Sequence, residues 1–240
     1  MTKFLYSILL SAVCIMPAMA DDSGLGIEVG ATKKINTNLS ADVEGEFRTQ
    51  DGLSNVERWS AGASLGYKFT KWLKADAGYS FIARRYPDKT TSKNWQQHYW
   101  SPRHRGFVSL TATWKLPAHL DLSLRERYQY TYETEQTVVR YKLSNGNRND
   151  KVKGGDSESM LRSRLQLKWS RKRCPWAPYV NAEMHNDISG MAIDQMRYIA
   201  GIDYKLSKQN TFGLSYRYKS KNNDDEDKGH LVSLSYKYKF

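Results

Sequence analysis

Three arginine pairs of identical spacing carry the strongest chemical signal in this sequence. Arg103/Arg105, Arg125/Arg127 and Arg162/Arg164 each read Arg-x-Arg. Residues two apart in an extended chain point to the same face, so each pair presents two guanidinium groups to one side. All three pairs are expected in the outer half, where adjacent strands bring them together as a ladder. Guanidinium forks bind carboxylates and phosphates bidentately. Arg197 and Arg217 occupy equivalent polar positions in later segments, and the acids on that polar face are fewer, with Asp42, Glu44, Glu46 and Glu183 as the counter-charges. Two readings stay open. The arginines line a path for anions, or they are ion-paired filling that leaves no buried charge alone.

Catalytic constellations are weaker. His104, His185 and His230 alternate into extended segments, with Ser109 and Ser215 in comparable segments, but no Gly-x-Ser-x-Gly motif occurs. Glu44 and Glu46 share a face, yet they look toward arginines, which suits an ion pair better than acid–base work. No glycine-rich phosphate loop, metal-ligand cluster or cofactor motif appears, and Asp224-Asp225-Glu226-Asp227 reads as a solvated loop tip. The expectation is therefore no catalytic residue, metal or cofactor, with a lipid-modifying enzyme as the third-ranked reading.

The elements that position these residues are strands. Large apolar residues alternate with polar ones in segments of roughly ten residues, the period-2 signature of a strand with one apolar and one polar face. Leu39, Ala41, Val43, Gly45 and Phe47 alternate with Ser40, Asp42, Glu44, Glu46 and Arg48. Leu161, Leu165, Leu167 and Trp169 stand opposite Arg162, Arg164, Gln166 and Lys168. The same pattern recurs to the last segment, where Val232, Leu234, Tyr236, Tyr238 and Phe240 form one face.

Three features favour a transmembrane β-barrel over a soluble sandwich. Aromatic residues gather at the segment ends, as interfacial girdles require: Phe69, Trp72, Trp114 and Trp176 near one set of turns, Trp59, Tyr79, Tyr130 and Tyr216 near the other. Connections alternate in length, tight at Thr70-Lys71 and Pro117-Ala118-His119, long and polar from Arg84 to Pro102, Glu133 to Glu158 and Ser220 to Lys228. The chain ends on a strand whose final residue, Phe240, resembles the assembly signal read by the barrel-assembly machinery. About eleven segments are legible. Single-chain bacterial barrels have even strand numbers, so the expectation is an all-β antiparallel barrel of twelve strands, with ten as the alternative, and with a missed strand or a misread segment near Leu25 or Asn94 to Trp100. Glu126 interrupts an apolar face between Leu124 and Tyr128, which places it at the outer interface or beside a bulge.

The first twenty residues read as an export signal. Lys3 supplies positive charge, Phe4 to Met16 is an apolar run too short to span a bilayer, and Ala18-Met19-Ala20 fits a cleavage site. Residues 1–20 are thus a signal peptide and 21–240 the barrel domain. Cys14 is preceded by Val13, which disfavours a lipoprotein signal. Cleavage leaves one cysteine, Cys174, in a turn-like Ser170-Arg171-Lys172-Arg173-Cys174-Pro175 stretch. The formal charge of +12 would suit nucleic acid, but export removes the chain from it. The remaining partners are outer-membrane lipid, lipopolysaccharide phosphates and small anionic solutes.

The phrases Val43-Glu44-Gly45-Glu46-Phe47-Arg48-Thr49, Leu122-Ser123-Leu124-Arg125-Glu126-Arg127-Tyr128-Gln129-Tyr130 and Tyr198-Ile199-Ala200-Gly201-Ile202-Asp203-Tyr204-Lys205-Leu206 resemble an uncharacterised family of outer-membrane β-barrels common in Bacteroidota, a domain of unknown function. The resemblance covers most of the mature chain and implies fold and location, without an activity. Size and arginine-rich strands are more loosely similar to oligogalacturonate-type small porins, which implies acidic oligosaccharides as solutes. The leading functional expectation is a small outer-membrane channel or binding barrel favouring anions. Its rival is a closed structural barrel whose loops meet surface partners.

Overall fold

The computed structural model describes residues 23–50, 54–190, 192–221 and 229–240. The expected signal peptide, with Lys3 and Cys14, and the acidic run Asp224-Asp225-Glu226-Asp227 lie outside the described residues. The chain runs through β1 (Ser23–Lys34), β2 (Leu39–Gln50), β3 (Asn55–Lys68) and β4 (Leu73–Tyr86), then two short strands, β5 (Lys89–Thr90) and β6 (Asn94–Gln96). It continues with β7 (Tyr99–Leu116), β8 (Leu120–Glu133), and the short β9 (Gln136–Val138), β10 (Arg140–Lys142) and β11 (Lys151–Lys153). The last strands are β12 (Ser157–Trp169), β13 (Trp176–Asp187), β14 (Ala192–Lys205), β15 (Asn210–Lys221) and β16 (Gly229–Lys239).

Eleven of these strands close into one barrel in the order β1-β16-β15-β14-β13-β12-β8-β7-β4-β3-β2. The expectation of twelve antiparallel strands is corrected. With an odd number, the first and last strands run the same way, so closure requires one parallel pair. That pair is β1 with β16, in register from Ser23↔His230 to Thr32↔Lys239. The segment near Leu25 is a true barrel strand. The segment after Asn94 supplies β6, the middle strand of a small sheet β10-β6-β5 in a loop. A parallel ladder is slightly weaker per residue than an antiparallel one. Close packing holds β1 on both sides: a Cβ on Gly26 would lie 2.5 Å from the Ser233 hydroxyl of β16, and one on Gly24 would lie 2.2 Å from the Thr49 carbonyl oxygen of β2.

The distribution of polarity is inverted relative to a soluble protein. Val29, Val43, Leu65, Val108, Leu110 and Val180 face outward and are each more than half exposed, whereas Gln129, Thr131, Asn181, Glu183, His185 and Gln195 are buried. An apolar exterior around a polar interior is the pattern of a barrel whose outer solvent is hydrocarbon. Outward aromatics pair across strands at both rims, Trp176 with Tyr204 (ring centroids 4.5 Å apart) at the tight-turn end and Trp59 with Phe81 (5.3 Å) toward the loops. The tight turns and Phe240 share one end; the longer connections and Ser23 share the other.

Glu126 lies neither at a rim nor beside a bulge. It sits halfway along β8, in unbroken register with Leu110 of β7 and Ser163 of β12. The Ser163 hydroxyl donates to its carboxylate at 2.6 Å. A neighbouring strand thus supplies the hydrogen bond that hydrocarbon cannot.

Candidate functional site: an arginine-lined lumen

Period-2 alternation sends the arginine pairs inward, and strand register decides what they meet. On β8 and β12, Arg125 lies opposite Arg164, and Arg127 opposite Arg162. On β12 and β13, Arg164 lies opposite Glu183, and Arg162 opposite His185. On β13 and β14, Glu183 lies opposite Arg197. One cross-strand row therefore reads Arg125, Arg164, Glu183, Arg197. Four guanidinium groups converge on a single carboxylate.

Glu183 has no solvent exposure. It accepts from Arg162 at 2.6 Å, from Arg164 at 2.7 Å and from Arg125 at 3.1 Å, and Arg197 approaches to 3.7 Å. His185 Nε2 completes the set at 2.7 Å. Each oxygen of the carboxylate is thereby satisfied several times over, while the cations outnumber it. The excess positive charge is held by geometry in a confined, partly desolvated space.

A second cluster forms across the lumen. Glu46 of β2 binds Arg48 on its own strand and Arg58 of β3, the latter at 2.6 Å. Arg217 of β15 reaches Glu28 of β1 at 3.8 Å, across the parallel seam. Toward the loops, Arg103 pairs with Glu133 at 2.6 Å and donates to the Tyr86 hydroxyl at 2.6 Å.

The expected lumen residues Arg103, Arg105, Arg125, Arg127, Arg162, Arg164, Arg197 and Arg217 all line the interior cavity. Two expectations about them need correction. The three pairs do not form one ladder in the outer half. Arg125/Arg127 and Arg162/Arg164 face each other near mid-strand, whereas Arg103/Arg105 lies closer to the loops, opposite Glu133 and Thr131. The four counter-charges also divide. Glu46 and Glu183 bind arginines, but Asp42 accepts from the Thr32 hydroxyl at 2.5 Å, and Glu44 has no hydrogen bond or ion pair among the described residues.

Of the eight expected lumen arginines, two make no ion pair with a carboxylate among the described residues. Arg105 donates only to the Thr131 hydroxyl, at 3.0 Å. Arg127 lies over the Phe107 ring at 4.1 Å, and its Nε is buried without a hydrogen-bond partner. The Nε atoms of Arg58, Arg103, Arg125, Arg162 and Arg217 are likewise buried without partners. Sequence reasoning missed Glu133 and Glu28 as ion-pair partners. It also weighed His185 as a lone histidine, although Glu183 stands two residues away on the same face. The other histidines have different company: His104 bonds the Tyr79 hydroxyl at 2.6 Å and His230 the Tyr216 hydroxyl at 2.5 Å.

A cavity of about 810 Å³ occupies the interior. Its lining extends from Gln50, Glu57, Glu158 and Asp194 near the loops to Thr32, Asp42, Lys74 and Lys237 near the tight turns. Fourteen lysines and arginines line it against nine carboxylates.

No curated protein matches this chain. Two solved structures similar in fold are autotransporter domains. The β domain of the Bordetella autotransporter BrkA has a TM-score of 0.53 and 14% identity, the match covering 82% of this chain and 78% of that one. The translocator domain of autotransporter NalP from Neisseria meningitidis has a TM-score of 0.57 and 12% identity, covering 79% and 72%. At such identities the likeness is one of fold, an outer-membrane-type β-barrel. A family profile described as "Protein of unknown function (DUF2490)" matches residues 27–230, and the chain belongs to that family.

Proposed function

We propose that the protein is an outer-membrane channel or binding barrel whose lumen favours anionic solutes, acidic oligosaccharides among them. The observation that carries this reading is the lining of the interior cavity. Cations outnumber carboxylates, and the lining runs from residues near the loops to residues near the tight turns. Fixed charge of one sign along a confined path raises the local concentration of the opposite sign. Buried guanidinium nitrogens without partners are donors that a carboxylate or phosphate oxygen would satisfy. An export signal at residues 1–20, release of the mature chain to the outer membrane and recognition of Phe240 during assembly complete the proposal.

A second reading has its own observation. Glu183 is wholly buried and gathers four arginines, which is how a lumen is filled and braced. In that case the barrel is closed and its loops do the work. Efflux from proteoliposomes separates the two. A charged oligogalacturonide should leave faster than a neutral oligosaccharide of equal length through the anion path. Equal retention of both supports the closed barrel and overturns the proposal.

A further inference from the structure

The charges of the lumen are not spread evenly around it. Six of the nine lining carboxylates, Glu28, Asp42, Glu44, Glu46, Glu57 and Asp76, stand on β1 to β4. Ten of the fourteen cations stand on β7 to β16, including every arginine of the three pairs. One wall of the cavity is therefore acid-rich and the facing wall arginine-rich, and a field runs across the lumen as well as along it.

Each wall offers a group without an ion pair among the described residues. Glu44 on β2 is exposed to the lumen and carries no hydrogen bond or ion pair among the described residues. Arg127 on β8 has a buried Nε without an acceptor, its guanidinium held over Phe107. The two interact electrostatically across the cavity, yet no ion pair closes between them. Two other lumen carboxylates are already engaged, Glu46 by Arg48 and Arg58, and Glu183 by its arginines. A gap between two opposite, unspent charges fits a solute that brings one charge of each sign. We propose that Glu44 and Arg127 form a two-point site for a small zwitterion. The solute's carboxylate, sulfonate or phosphate lies on Arg127 and its ammonium group on Glu44. This inference rests on the lumen being a solute path, and it adds to the anionic solutes a second class, small zwitterions without net charge.

The probes are 2-aminoethanesulfonate and 2-hydroxyethanesulfonate, nearly equal in size and both impermeant to lipid. Efflux of each from proteoliposomes holding the full mature chain is measured at low concentration, where flux follows occupancy of the site. The wild type should pass the amino compound faster. Glu44→Gln should lower the amino-to-hydroxy ratio about tenfold, the equivalent of one contact worth about 1.4 kcal/mol. Arg127→Gln should slow both compounds. Because neither residue makes an ion pair or a side-chain hydrogen bond among the described residues, both variants should keep the heat-modifiable gel mobility of a folded barrel. A variant that fails to fold shows a bracing role and overturns the site. If the wild type passes both sulfonates equally and Glu44→Gln changes nothing, the two-point site is wrong while the anion path stands. If the wild type passes neither, both proposals fall.

Discussion

Replacing Glu183 with glutamine tests the electrostatic organisation of the lumen most severely. The substitution preserves shape and removes one negative charge from the centre of four arginines. Three charge-assisted hydrogen bonds, at 2.6, 2.7 and 3.1 Å, are weakened or lost, together with the 2.7 Å contact to His185. The glutamine oxygen can accept from one or two guanidinium groups, but its NH2 group faces donors. Removing one partner of a buried ion pair typically costs about 3–5 kcal/mol, because the surviving charge stays desolvated. Arg125, Arg162, Arg164 and Arg197 also repel one another once the carboxylate is gone. We expect Glu183→Gln to destabilise the barrel by about 3–5 kcal/mol. With a denaturant slope of about 2 kcal/mol per molar, the urea midpoint falls by about 1.5–2.5 M. The assay is urea unfolding from detergent micelles, followed by tryptophan fluorescence and by the heat-modifiable gel band. Adding Arg164→Gln to Glu183→Gln should recover part of the loss by thinning the cation cluster, and millimolar phosphate should stabilise Glu183→Gln more than wild type. A Glu183→Gln midpoint equal to wild type would refute the reasoning, since the carboxylate would then not be the keystone of the cluster.

The three arginines Arg105, Arg127 and Arg164 should separate when each is changed to glutamine. Arg164→Gln loses a 2.7 Å bond to Glu183 and should melt lower by several degrees, whereas Arg105→Gln and Arg127→Gln, without carboxylate partners, should melt as wild type but lose anion preference in single-channel recordings. Gly24→Ala should destabilise the barrel by about 1–3 kcal/mol in the same urea assay, because its Cβ would meet backbone, the Thr49 carbonyl oxygen, at 2.2 Å; an unchanged midpoint would show that β1 is not packed against β2 as described. Deleting Phe240 should lower the yield of assembled barrel in the outer membrane more than Lys239→Gln does, and equal yields would count against Phe240 as an assembly signal.

Much of the wall was legible in the sequence because strands report themselves locally. Val43 to Arg48 or Leu161 to Lys168 show by alternation alone which side chains face inward, and register can only preserve that choice. Closure was not legible. Whether β1 meets β16 in parallel depends on Ser23 finding His230 across the whole chain, and no local pattern encodes it. The arginine pairs were legible for the same reason as the strands. Their partners were not, because Glu183 opposes Arg164 only through the register of β12 with β13, and Glu133 opposes Arg103 only through that of β7 with β8. Glu126 violated the outward pattern for a reason held on another strand, the hydroxyl of Ser163.

The central claim, a solute path whose fixed charge favours anions, is tested most directly by the reversal potential of the purified mature protein in a planar bilayer under a potassium chloride gradient. An anion path gives discrete conductance with a reversal potential displaced toward the chloride equilibrium value, and a displacement that shrinks in Arg127→Gln. A reversal potential on the potassium side, or a folded barrel that never conducts, would contradict it.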